Sequence, residues 1–142
     1  MKSWRLMLGS LLLITACVDG DVIKESSRSM DDIRGAIQAI AGEPRLVSEN
    51  HREYTSAYFS RKKDPHFDPQ KSKERLYAKF TILGDRRPYD IQVQVFIEEK
   101  SGGLYEDSGL DEPMTDKITD ELKHALTKRP ENRNLIDEFR AF

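Results

Sequence analysis

The sequence predicts an α+β domain in which a helix, a three-stranded antiparallel sheet and a second helix follow one another (αβββα), with a short C-terminal helix packing on one sheet face. Three observations carry this expectation: an amphipathic stretch after Ser29, two strictly alternating runs between Leu76 and Glu98, and a second amphipathic stretch that stops at Pro130. Each such element has one apolar side to bury, and helices laid over one face of a small antiparallel sheet bury them together.

The first helix is expected over Ser29–Ala41. Ser29 can cap it, and Asp31 and Asp32 fall in the first turn, where the helix dipole favours acids. Met30, Ile33, Ile37 and Ile40 recur at spacings of three and four, which makes one apolar face, and Gly42 and Pro44 stop the helix. A first strand is expected around Glu53–Arg61, rich in Tyr54, Thr55, Tyr58 and Phe59. Lys63–Ser72 reads as a loop, with turns at Asp64-Pro65 and Asp68-Pro69.

The next two strands have the clearest pattern. Leu76, Ala78, Phe80 and Ile82 alternate with Tyr77, Lys79 and Thr81. After a turn over Gly84–Pro88, Tyr89, Ile91, Val93, Val95 and Ile97 alternate with Asp90, Gln92, Gln94 and Glu98. Period-two patterning of this kind predicts a hairpin with one buried and one solvated face. Ser101–Asp111 reads as a loop. The second helix follows over Pro113–Lys128, with Met114, Ile118, Leu122, Ala125 and Leu126 as its stripe. Leu135, Ile136, Phe139 and Phe142 suggest the short C-terminal helix.

The N-terminus has a different character. Lys2 and Arg5 precede an apolar run, Leu6–Ile14, which is shorter than the roughly 20 residues needed to span a bilayer. Residues 1–16 therefore read as a cleavable export signal. At Leu13-Ile14-Thr15-Ala16-Cys17 the signal resembles the lipobox of bacterial lipoproteins. That resemblance implies a diacylglyceryl group on the Cys17 thiol, cleavage before Cys17, and a further acyl chain (commonly palmitate) on the freed amine. It covers only the first 17 residues. Two or more acyl chains give stable attachment to a bilayer. By the same resemblance, Val18 stands where enterobacterial lipoproteins kept in the inner membrane carry aspartate, so the outer membrane, facing the periplasm, is the expected site. Residues 17–28 read as the lipidated cysteine and a flexible polar tether, and residues 29–142 as one domain. Cys17 is the sole cysteine, so the domain must hold together without disulfides.

Removing Lys2 and Arg5 with the signal takes the net charge from −2 to −4. Arg52–Arg87 is predominantly basic and Asp90–Glu121 predominantly acidic. Such polarity could orient the domain, present a basic face to anionic lipid or dock a partner, and it is also what two solvated surfaces look like. The helix, three strands and helix order resembles the double-stranded-RNA-binding domain. That family carries a lysine cluster at the start of its second helix. Here Asp116, Lys117, Asp120 and Glu121 stand there and would repel phosphate, so no nucleic-acid partner is expected.

Tyr105–Glu112 supplies oxygen ligands suited to calcium but lacks the spacing of an EF-hand loop. His51, His66 and His124 are too dispersed for a helical metal pair, and a site from His66 and Asp68 is the one transition-metal candidate. No nucleophile elbow, phosphate-cradling glycine loop or singled-out acid–base pair occurs. A non-catalytic protein is expected, with no cofactor and no resident metal.

The step from helix through Gly42-Glu43-Pro44 into a sheet, together with a lipobox, resembles the small lipoproteins that accompany the outer-membrane β-barrel assembly machine. Ser29 to about Ile97 would overlap. That family places two helices before its sheet, whereas this chain is expected to have one before and one or two after. The resemblance implies a scaffold that binds another envelope protein. Phe96, out of place among Asp90, Gln92, Gln94 and Glu98 on the solvated face, is the candidate contact, unless Phe139 or Phe142 covers it. The alternative from another class is a pocket for a lipid or other small ligand between sheet and helices, as in cystatin- or NTF2-like folds.

Overall fold

The computed structural model describes residues 20–62 and 64–128; the signal, Cys17 and the stretch carrying Leu135, Ile136, Phe139 and Phe142 lie outside the described residues. The elements run β1 (Asp21–Ser26), α1 (Met30–Ala41), β2 (Leu46–Val47), β3 (Glu53–Thr55), β4 (Glu74–Leu83), β5 (Tyr89–Ser101), β6 (Leu104–Leu110) and α2 (Glu112–Thr127). Among the described residues no helix is long and apolar enough to cross a bilayer.

The expected three-stranded sheet is wrong. The sheet has six antiparallel strands, the domain is mostly β, and it carries two helices among the described residues. β2 to β6 form a continuous meander, and α1 carries the chain from β1, at one edge of the sheet, to β2 at the other. Two expected irregular segments are strands. The tether contains β1, paired to β5 with Ile23 opposite Ile91, and the acidic loop is β6. In the other direction, the strand expected over Glu53–Arg61 is regular only to Thr55. Beyond it Ser56 and Phe59 still bond to Ala78 and Leu76 of β4.

β4 and β5 form as their alternation predicts. Ala78 faces Val95, Phe80 faces Val93 and Ile82 faces Ile91, all buried on the helical side. Ile33 and Ile37 of α1 and Leu122 and Leu126 of α2 close this core. Each fully buried side chain of this kind contributes about 1.5–3 kcal/mol. Ser29 caps α1 through a reciprocal capping box with Asp32.

β5 is 13 residues long and outruns either neighbour on its outer edge. β1 takes its first half, from Tyr89 to Val93, and β6 takes Phe96 to Ser101. Val95 falls in the gap between them. Its buried N–H donates to Thr115 Oγ1 at 3.0 Å, and its carbonyl accepts from Asp111 N at 2.8 Å. The start of α2 therefore completes the sheet edge.

This duty rotates α2 relative to the expected stripe. Thr115 and Thr119 are buried beside Leu122 and Leu126, whereas Met114 and Ile118 are only partly buried. Both threonine hydroxyls donate to carbonyls one turn back, those of Asp111 and Thr115, which removes the cost of burying them. Thr115→Val keeps the shape but leaves the Val95 N–H without an acceptor. A loss of about 2 kcal/mol in urea unfolding is expected, with Thr115→Ser close to wild type. Equal losses for valine and serine would show that packing, not the hydrogen bond, matters at this position.

Candidate functional site

The sheet face opposite the helices carries the side chains that are out of phase with the core. Register sets Tyr77 against Phe96, Arg75 against Glu98 and Lys79 against Gln94. Phe96 is half-buried and stacks on Tyr77, with ring centroids 5.2 Å apart and planes 18° apart. Tyr77 meets Tyr58 edge-on at 6.0 Å. Burial and the nearby acids Asp107 and Glu98 push the Tyr77 hydroxyl above the usual phenol range, so it stays neutral.

Two arginines extend this array. The Arg45 guanidinium lies 4.3 Å from the Tyr58 centroid and 5.5 Å from that of Tyr77. Arg75 lies 3.8 Å from the Tyr58 ring and 3.5 Å from the Tyr105 ring, while its Nε and Nη2 each reach Glu98 Oε2 at 2.7 Å. The Tyr105 hydroxyl sits 2.7 Å from the carbonyl oxygens of both Pro69 and Ser72, which ties the 68–73 loop to β6. Arg45 is held in place because its N–H donates to Thr55 O, continuing the β2–β3 pairing by one residue.

Beside this array Leu46 lies opposite Thr55 and is 59% exposed. A shallow depression bounded by Arg45, Leu46, Thr55, Tyr58, Tyr77 and Lys79 opens on the same face. The result is a stacked pair, Phe96 on Tyr77, with Leu46 and an exposed cation, Arg45, lining the depression beside it. Among the described residues Arg45 has no carboxylate partner, in contrast to Arg75. An aromatic pair with an adjacent arginine is the composition enriched at the centre of protein interfaces.

Of the candidates from the sequence, Phe96 is thus on the expected face, and Cys17 lies outside the described residues. His51, His66 and His124 are exposed and belong to different parts of the fold. Asp68 does not join His66; its carboxylate accepts from Gln70 N and pairs with Lys71, contacts that hold it below the usual range. Glu106 and Asp107 point out from β6, and no group of three metal-ligating side chains occurs among the described residues. The basic and acidic halves interleave rather than segregate, through Arg75–Glu98 and Arg61–Asp111.

The sequence placed Arg75, Tyr58 and Tyr77 in the basic stretch and Tyr105 in the acidic one, and singled out none of them, nor Arg45, as a partner contact. The register of the β4–β5 hairpin alone would have placed Tyr77 beside Phe96. Comparison with known protein families, with curated proteins and with solved structures finds no match.

Proposed function

We propose that this chain is a lipid-anchored protein of the bacterial envelope, attached through Cys17 and facing the periplasm from the outer membrane, that acts by binding another envelope protein. The observation that supports the binding reading is the sheet face that no helix covers among the described residues, where Phe96, Tyr77 and Leu46 lie near Arg45, which has no carboxylate partner among those residues. The complementary partner surface is an apolar segment with a carboxylate placed to meet Arg45. In this reading Tyr58 and Arg75 set the array's geometry, and Phe96 and Arg45 make the contact.

The order of β1 adds a constraint. Asp21 begins β1 four positions after Cys17. Four extended residues span at most about 14 Å, so a lipid on Cys17 holds the domain against the bilayer rather than on a long leash. Its partner is therefore a membrane protein or one held at the same surface.

Affinity purification from detergent-solubilised native membranes, wild type beside Cys17→Ser, tests the proposal. The expected result is an intact-mass increase on Cys17 and a stoichiometric envelope protein that is lost or reduced with Cys17→Ser. A lipid-free chain, or a lipidated chain that purifies alone, contradicts it.

A further inference from the structure

The two sides of the sheet along which a further strand could pair are finished differently. On one side β1 and β6 share the outer edge of β5, and both are marked against pairing. β1 shifts register between Ile23 and Ser26 and holds Glu25 at a φ of 56°. β6 shifts register at Ser108 and exposes Glu106 and Asp107. Bulges and charges of this kind blunt an edge. On the other side β2 ends the sheet, and among the described residues no strand lies beyond it. Its two residues are apolar and turned to solvent, Leu46 59% exposed and Val47 41%. The Ser48 N–H donates inward to Glu53 O at 3.0 Å, so the Val47 carbonyl, trans to it across the planar peptide, points outward.

Successive residues of an added strand point to opposite faces, and each face has a seat beside β2. On the helical side Val47 lies opposite Tyr54, which in turn faces Phe80 of the core. A cleft of about 270 Å³ opens there, walled by Ile37, Ala41, Pro44, Val47, Tyr54 and Phe80. The guanidinium on its rim, that of Arg34, is held by Asp31 and the His51 carbonyl, so the cleft suits an uncharged apolar side chain. On the open face Leu46 lies opposite Thr55, beside the depression that holds Arg45, Tyr58 and Tyr77. The other cation there, Lys79, is paired with Glu53 at 3.2 Å, whereas Arg45 has no carboxylate partner among the described residues.

We infer that the envelope partner adds an extended segment to the β2 edge as a further strand, with an apolar side chain in the cleft beside Val47 and an adjacent acidic residue against Arg45. This rests on the docking reading above and gives it a geometry and a partner motif. β2 is short and offers few backbone bonds, so the two seats supply most of the selectivity. Slipping the added strand by one residue would turn the acid toward Ile37 and Phe80, which fixes the register.

The test is photo-crosslinking in native membranes with a diazirine side chain at Leu46 and, separately, at Val47, each crosslinked partner peptide being mapped by mass spectrometry. Both positions should mark neighbouring residues of one partner segment, position 47 an apolar residue and position 46 its acidic neighbour. Val47→Lys should cut the yield from position 46 about tenfold with the urea midpoint near wild type. Leu104→Lys, at an exposed site beyond the opposite edge, should leave that yield unchanged. Arg45→Glu should lower the yield as well, and lysine in place of the partner's acidic residue should restore it. Crosslinks from 46 and 47 that map far apart, or crosslinks from position 96 alone, overturn the added strand and leave the docking reading standing. Silence at positions 46, 47 and 96 alike removes both.

Discussion

Arg75→Met should cost about 3 kcal/mol of stability, the largest effect expected of any charged residue in the domain. The Arg75 side chain is 10% exposed and that of Glu98 18%, and both guanidinium contacts to Glu98 are 2.7 Å long. Losing the arginine strands a mostly buried carboxylate and empties the space between the Tyr58 and Tyr105 rings. Adding Glu98→Leu to Arg75→Met should recover most of the loss, because the unpaired charge, not the missing attraction, carries most of the cost. The urea midpoints of the two single variants and the double variant measure this. A double variant as unstable as the sum of its parts would place the cost in lost ring stacking instead. The stake is functional as well as structural, since Arg75 fixes the Tyr58 ring on which Arg45 rests.

Asp111→Ala should cost about 2–3 kcal/mol. Asp111 is 3% exposed and caps α2, its Oδ1 accepting from Met114 N at 3.0 Å. Its Oδ2 stands 2.9 Å from Arg61 Nη1, an ion-pair contact without the alignment of a hydrogen bond, while Arg61 also bonds Glu74. The Arg61 side chain is 47% exposed, so solvent screens that pair and the cap contributes more. Asp111→Asn keeps the capping oxygen and should recover at least half of the loss. The variant matters because Asp111 N also closes the β5 edge at Val95. Thermal melts of the alanine and asparagine variants decide it, and equal destabilisation would show that the charge dominates.

Residues that bury an alternating face announced themselves, and residues at edges did not. β4 and β5 were legible because Leu76, Ala78, Phe80 and Ile82, and Ile91, Val93 and Val95, all go into one core. α1 was legible from Ser29 and its isoleucines. β1 commits one buried apolar residue, Ile23, and β2 is two residues long, so neither carries a period. β6 is an edge strand studded with Glu106, Asp107 and Ser108, a composition that protects an edge and reads as a loop. Gly102 and Gly103 were its one overlooked signal. Both have positive φ, and they join β5 to β6 in a two-residue turn of the kind glycine pairs favour.

The candidate face divides the same way. Phe96 could be picked out because an aromatic broke a polar phase. The array around it could not, because Arg45, Tyr58, Arg75 and Tyr105 come from four separate segments and meet only through the sheet. The rotation of α2 was hidden for a related reason: periodicity ranks Met114 and Ile118 above threonines, and only the unpaired Val95 edge explains why Thr115 faces inward.

Photo-crosslinking in native membranes is the most direct test of the open face as the docking surface. Benzoylphenylalanine placed at Phe96 keeps an aromatic ring there, and the same group at Asp120, exposed on α2, is the control. One discrete crosslinked envelope protein from position 96, absent from position 120 and lost on Arg45→Glu, is the predicted result. The same crosslinks from both positions, or none from position 96 in a correctly localised protein, would contradict it.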